Sequence, residues 1–574
     1  DLSFERFLNP ERKGMPDVDV DFDSEGRAAV IEYAEKRWGG KSVATYARYS
    51  HKTLVHDLCK YYGIDRVTES KVAEGGPESD AFIELSKNNP DFALSYNAII
   101  GQIKSIGKHA GGIIITDVNV PLERAAGEHG LVAAWTEGGE RELSNVGVVK
   151  YDLLGLSALT VLKRLEAAFG KHASDPTPDD PVFELFQSGK LTGIFQFSGS
   201  QGIVDYTRRV APRTFDDLVA INALYRPGAL DAGTAELYPA WRRSPRTIHP
   251  LIDDIITPTF GAIVYQEQVM AIVSRLTGGS LGKADEARRI IVKSKVGDPE
   301  WTKAIGELGT EFIDGAVSRG VPVDVATHIW DELKAHARYS FNRAHAVSYA
   351  KIAWELAWWR YHHPAEFFAA TINSDVPETL AYLYAAVEAG LEVSPPNVNY
   401  SGKEWVAKDQ ALYMPLTSVK FLGQPAAEAI IANRPYATVE EFNKKLPPRL
   451  VRSNVKESLA LIGALSGLEG DPMSLVKHGD SKSVTERQVA AFGFPLPSKD
   501  IVGKIQAVRK GGWVAGVVRE VERRESKYGP YFVYRLAPEG TFWIRSNTQT
   551  YEKGQLVSAR VKADSGKAIA HGVL

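Results

Sequence analysis

The sequence predicts a multidomain protein, α/β at its start, mostly α through its middle, and closing in a small β-barrel. Three observations carry this. A chain of 574 residues is too long for one hydrophobic core. Strand-like runs, "VDVDF", "GGIIITDV" (111–118) and "NVGVVKYDLLGL" (145–156), are separated by long helical text. About the last sixty residues alternate strongly, in "GWVAGVVREVERRES", "GPYFVYRLA", "TFWIRS" and "QLVSARVKAD", which reads as short strands of a small barrel.

Taken in order, a short helix-like start leads into an aspartate-rich strand by residue 23. From Gly26 to about Lys104 the text is helical and polar, with breaks at "GGPESD" and "NNPD". "SALTVLKRLEAAFG" (157–170) has helical apolar spacing, with Ser157 as N-cap and Gly170 as stop. Residues 171–400 are mostly helical, 400–470 carry short helices with Gly-containing turns, and 471–512 are polar and less patterned. Composition is that of an ordinary globular protein, 44% hydrophobic and 24% charged. The net charge of −3 means that nucleic-acid binding requires local basic surfaces. The single cysteine, Cys59, excludes an internal disulfide framework and a Cys-based zinc site. With no signal peptide and no apolar run near ~18 residues, the expectation is a soluble cytoplasmic protein without membrane contact. The opening at Asp1, in mid-pattern, reads as a fragment or a processed piece.

In "MPDVDVDFDSEGR" (15–27), strand period puts Val18, Val20 and Phe22 on one face and Asp17, Asp19 and Asp21 on the other. Neighbouring carboxylates about 6.5 Å apart repel by roughly 2.5 kcal/mol at an effective dielectric near 20. One reading is the solvated face of an edge strand. A calcium loop of EF-hand type fails, because Phe22 and Ala28 stand where Gly and Glu are needed. The other reading is divalent metal, with Mg²⁺ held by carboxylates and substrate phosphates, two ions ~3.5–4 Å apart serving the attacking and leaving oxygens. Asp152, in "VVKYDLLGL", is either a strand-end cap or a further ligand. Lys150, two residues earlier on the same face, suits a triphosphate.

"FERFLNPERKGMPDVDVDFDSEGR" closely resembles the palm of the bacterial replicative C-family polymerases, the DNA polymerase III alpha subunits. The likeness continues in order through "GKHAGGIIIT", "VKYDLLGLSALT", "IFQFSGSQGI", "INALYRPGAL", "PTFGAIVYQEQVMAI", "ADEARRIIVKSK" and "FNRAHAVSYAKIAWELAWWRYHHPAEFFAATIN". It implies a polymerase-beta-like nucleotidyltransferase palm at 1–25 and 105–170. It also implies a helical thumb at 26–104, fingers at 171–397, a tandem helix-hairpin-helix region at 398–470, a connector at 471–511 and an OB-type barrel at 512–574. Asp17 and Asp19 are then the paired ligands of two Mg²⁺ ions (Mn²⁺ as a possible substitute), Asp152 the third carboxylate, and Asp21 the weakest of the set. Arg6, Lys150, Arg288, Arg289 and Lys293 are expected at the nucleotide, although Val292 and Ser294 depart from the family's pattern around the lysines; the alternative is a solvated helix face.

For DNA, the resemblance points to Lys108 and His109 in "GKHAGG", Arg226 in "YRPGAL", and Arg343 and His345 in "FNRAHAVSYA". A packing role stands beside each of His109, Arg343 and His345. Trp354, Trp358 and Tyr361 read as core. Gly423 and Gly463 match hairpin turn glycines, with Phe421 and Gln424 where smaller residues or Gly are usual. In the barrel, Arg519, Arg523, Arg524, Lys527, Tyr528, Tyr531, Phe532 and Trp543 interleave charge and rings as single-strand binders do. A sliding-clamp peptide is not evident, "QVAAF" (488–492) being the nearest match, and other replisome subunits remain expected partners. The expected function is a DNA-templated DNA polymerase core that adds deoxynucleotides to a primer 3′ end. The alternatives are a non-catalytic DNA-binding or scaffold fragment and, further off, a two-metal nuclease. The family's Gly-Ser phosphate loop and amino-terminal PHP domain lie upstream of the first matched residue.

Overall fold

The computed structural model describes residues 18–116, 122–124, 131–133, 148–231, 233–292, 299–337 and 339–477. Beyond these it describes 487, 491–492, 496–500, 502 and the C-terminal pieces 514–526, 529–537, 543–546, 551, 555–561 and 568–573. The chain divides into two compact units, with the boundary between Leu156 and Ser157.

The first unit is built on a sheet of six strands: β1 (Val18–Asp23), β2 (Lys41–Arg48), β3 (Ile103–Ile114), β4 (Leu122–Arg124), β5 (Leu131–Ala133) and β6 (Lys150–Leu156), in the order β1-β6-β3-β2-β5-β4. Helix α1 (Arg27–Trp38) covers one face of it. Ala34, Val30 and Ile31 pack there on Phe22, Ile113, Tyr151 and Leu153. This is the apolar side of the alternation read from the sequence, so the aspartate side of β1 is turned away from α1.

β2 departs from the expected helical text. Gly39, at φ +67°, ends α1 in the left-handed region. "KSVATYAR" then enters the sheet with Ser42, Val43 and Ala44 buried, because its small and β-branched side chains fit between the neighbouring strands. Helices α2 (His51–Tyr62), α3 (Arg66–Gly75), α4 (Asp80–Asn88) and α5 (Pro90–Ile99) make a separate bundle. Its core holds Leu54, Val55, Leu58, Cys59, Val72, Phe92 and Tyr96. Ser50 and Thr53 cap α2 reciprocally. His51 links the bundle through Tyr96 Oη at 2.8 Å and the Val72 carbonyl at 2.9 Å.

In the second unit, helices Gln266–Thr277, Leu281–Val292, Pro299–Ser318 and Val323–Ala337 enclose one core around Met270, Phe312 and Trp330. The helix Arg343–His362 buries Trp354 and Trp358 as expected, while Tyr361 stays exposed. β7 (Glu392–Ser394), β8 (Val406–Lys408) and β9 (Ala411–Tyr413) form a small sheet ahead of a helical segment whose core runs from Val398 to Leu468. The C-terminal strands β10 (Val514–Ser526), β11 (Gly529–Ala537), β12 (Trp543–Ser546), β13 (Leu556–Val561) and β14 (Ala568–Val573) form an antiparallel sheet ordered β12-β11-β10-β13-β14. Among the described residues no helix is long and apolar enough to cross a membrane.

Candidate metal and nucleotide site

β1 and β6 run parallel, and their register sets Val18 beside Tyr151, Asp19 beside Asp152 and Asp21 beside Leu154. Two carboxylates from strands far apart in sequence thus meet side by side on the sheet face away from α1. Asp152 is largely buried, with Oδ2 3.1 Å from Nζ of the buried Lys150. Its Oδ1 is buried and has no hydrogen-bond donor among the described residues; His109 Nδ1 stands 3.9 Å away, beyond hydrogen-bonding reach.

Room beside Oδ1 is kept by Gly112, the partner of Asp152 across β3. A Cβ at Gly112 would lie 3.1 Å from Oδ1 and 2.7 Å from His109 Nδ1. The "GKHAGG" glycines therefore act through space as well as backbone. β3 is irregular here, since Ser42 pairs with Ile113 while Ala44 pairs with Lys108. The extra residues fold around His109, whose Nδ1 accepts the backbone N–H groups of Gly112 at 2.6 Å and Gly111 at 3.2 Å. His109 is thus built into the strand, while Lys108 is exposed. Asp23 Oδ1 accepts the Gly26 N–H at 2.8 Å and ties the end of β1 to the turn before α1.

An unsatisfied buried carboxylate oxygen, with a second carboxylate alongside and a glycine facing it, is a donor set that suits a hard divalent cation. Asp17 and Arg6 lie outside the described residues, as do Lys293 and residues 488–490; the side chains expected to bind single strands in the barrel do so too. Among the described residues no cluster of three His, Cys, Asp or Glu side chains could hold a metal ion.

The expected finger cations have protein partners. Asp285 accepts Arg288 Nε at 3.0 Å and Nη2 at 2.8 Å through Oδ1, and Arg289 Nε at 2.8 Å through Oδ2. Arg288 is buried, whereas Arg289 keeps 30% of its side chain exposed. Burial raises the Asp285 carboxyl and the two guanidiniums overcome this, leaving it below the usual range. Sequence reading missed this counter-ion, although its spacing three and four residues before the arginines was visible.

Arg226 donates to the Ala223 and Tyr339 carbonyls and lies 4.0 Å from the Phe341 ring centroid, a packing role rather than a free cation. Arg343 pairs with Asp216 at 3.1 Å, and its backbone N–H meets the Glu267 carboxylate. The exposed His345 stacks on Tyr349 with centroids 4.1 Å apart.

The two hairpin glycines separate. Gly423 is the N-cap of the helix Gln424–Ala432. Gly463 lies beyond the helix Ser453–Leu461 at φ +85°, among turns, and opens no helix. The start of that second helix is at Arg452, whose φ of −70° needs no glycine, so a search for Gly passes over it.

Comparison with known proteins bears on this arrangement. Residues 1–155 match the family model of the bacterial DNA polymerase III alpha NTPase domain, and 158–320 that of the bacterial DNA polymerase III alpha subunit finger domain. Residues 390–475 match a helix-hairpin-helix motif. The first two matches meet where the two compact units do. The DNA polymerase III subunit alpha of Staphylococcus epidermidis is 32% identical over 81% of this chain and 46% of its own length. Those of Halalkalibacterium halodurans and Pasteurella multocida are 31% and 30% identical, over 86% and 91% of this chain and 46% and 49% of their own. The chain spans about half the length of the curated relatives it matches. With its NTPase and finger domains matched in succession, the chain belongs to the bacterial DNA polymerase III alpha subunit family.

Proposed function

We propose that the chain is the core of a DNA-templated DNA polymerase, adding deoxynucleotides to a primer 3′ end in replication. The observation that carries this reading is the register of β1 and β6, which sets Asp19 beside Asp152, with one buried oxygen of Asp152 lacking a donor among the described residues. Asp19 and Asp152, with Asp17, would hold two Mg²⁺ ions, or Mn²⁺ in their place. Such ions activate the attacking oxygen and stabilise the leaving one. Lys150 orients Asp152 through their 3.1 Å contact, and its charge would offset that of a triphosphate. Gly112 and the bulge around His109 hold space open beside Asp152. Arg289, the more exposed of the finger pair, supplies positive charge to the phosphates, while Arg288 and Asp285 fix its helix.

The C-terminal strands support an OB-type barrel. β13 returns beside β10 after the β10-β11-β12 meander, a Greek-key order that lacks only closure between β12 and β14. A cytoplasmic location and partners among replisome proteins follow from the same reading. Primer extension with Mg²⁺ on a primed template tests it. Extension that is lost in Asp19→Ala and Asp152→Ala supports polymerisation. DNA binding with no extension points to a scaffold, and shortening of the template to a nuclease.

A further inference from the structure

The helix Ser157–Phe169 stops at Gly170, and residues 172–177 then belong to no helix or strand. Among the described residues, no backbone–backbone hydrogen bond involves residues 171–176. Side chains hold the segment instead, along one stripe of the helix Arg343–His362. Lys171 meets Trp358 and Trp359, the Ser174 carbonyl accepts Trp354 Nε1 at 2.8 Å, and Asp175 accepts Lys351 Nζ. Residues 171–175 are thus a strap laid across successive turns of that helix.

One end of the strap sits in an aromatic cage. Lys171 Nζ lies 5.2 Å from the Trp358 ring centroid, 5.7 Å from that of Phe169 and 5.8 Å from that of Trp359. The two indoles meet edge to face at 5.0 Å, and Phe169 leans on Trp359 and His363. Lys171 has no carboxylate partner among the described residues; its Nζ donates to His363 Nε2 at 3.4 Å. An ammonium carries donors alone, so this contact needs an unprotonated Nε2. Burial, Lys171 and His362 hold the imidazole below its ordinary range, against Glu366. Ring faces attract a cation, so the cage is fitted to a positive charge on Lys171. At the other end Asp175 is 89% exposed, and an ion pair that open adds little.

We infer that residues 171–175 are a latch closed by the ammonium of Lys171, and that Lys171 is a modification site at which N-acylation opens it. An acyl phosphate supplies the chemistry. The uncharged amine attacks the acyl carbon, the N–C bond forms as the bond from that carbon to the phosphate oxygen breaks, phosphate leaves, and the amine's proton goes to water. The amide so formed has no charge for the rings to hold. The inference is independent of the polymerase reading. Its test is electron paramagnetic resonance of a nitroxide on Ser174→Cys in the full chain; Cys59 is buried, so the introduced thiol is the one that takes the label. The ratio of mobile to restrained label is expected to rise about fivefold in Lys171→Gln and to hold in Lys171→Arg, with the melting temperature unchanged in both. Acetyl phosphate should raise the ratio likewise, with an acetyl group found on Lys171 by mass spectrometry. A label equally restrained in Lys171→Gln, or as mobile in Lys171→Arg as in Lys171→Gln, overturns the latch. So does a label already mobile when Lys171 is intact. A Lys171 that acetyl phosphate leaves unacylated overturns the modification site.

Discussion

Two aspartates, one in each unit, are treated in opposite ways. Asp217 is 1% exposed and both oxygens have donors: Arg242 reaches Oδ1 and Oδ2 at 2.7 and 2.8 Å, and the backbone N–H groups of Arg213 and Thr214 reach Oδ2 at 2.8 and 3.0 Å. Asp152 has a single close cation on Oδ2 and a buried Oδ1 that no described residue satisfies. Burial raises the Asp217 carboxyl, and its donors more than reverse this. A closed carboxylate holds a fold together. A half-closed one fits the proposed metal ligand, because an unsatisfied buried acceptor costs about 1–3 kcal/mol that a bound cation would offset.

The largest effect that could break this contrast is on Asp152→Asn. Primer extension should fall at least about a thousandfold, on the order of 4 kcal/mol of barrier, while urea denaturation shifts less than for any change at Asp217. Next comes Asp217→Ala. Breaking a buried pair from one side should cost about 3 kcal/mol of stability, read as a lower denaturation midpoint, with turnover per folded molecule unchanged. If the two variants exchanged phenotypes, the contrast would collapse.

The finger pair sharpens the same distinction within one helix. Arg289→Ala should raise the KM for deoxynucleotides about tenfold, roughly 1.4 kcal/mol, with little change in melting. Arg288→Ala should lower the melting temperature, since it removes both donors to the buried Asp285 Oδ1 and leaves that carboxylate with Arg289 alone.

The smallest effect is a pH response at His336. Burial holds this imidazole below its ordinary range, Arg246 adds to this and Glu332 opposes it; Nδ1 is 2.7 Å from Thr234 Oγ1. The unfolded chain binds the proton more readily, so stability is full above about pH 6.5 and declines as pH falls below it. His336→Gln should flatten that part of a pH–stability curve.

Much of this was legible in the residues, and for definable reasons. The two faces of β1 follow from strict alternation, and Gly170, at φ +62°, stops its helix where a left-handed residue was expected. The tryptophans of the helix Arg343–His362 declared themselves as core by spacing. What stayed hidden was set by pairing between distant segments. Nothing local to "VDVDFD" says that Asp19 rather than Asp21 lies beside Asp152, nor that Gly112 faces that carboxylate. β2 was hidden because a short run of small residues satisfies helical and strand spacing alike, and its neighbours in the sheet decided the matter. Gly463 follows the helix Ser453–Leu461, whose N-cap is the extended Arg452 and has no need of a glycine.

Cys59 has a consequence for thiol chemistry. The chain's one thiol sits at 0% exposure in the α2–α5 bundle, its ionisation pushed up to about 11 by burial, with Glu69 and Asp65 adding to this. Thiolate is the species that oxidants and alkylating reagents attack. Maleimide, which disables many proteins through a thiol, should therefore find no handle on this one until the bundle opens, so that loss of its thiol reactivity reports folding of the bundle.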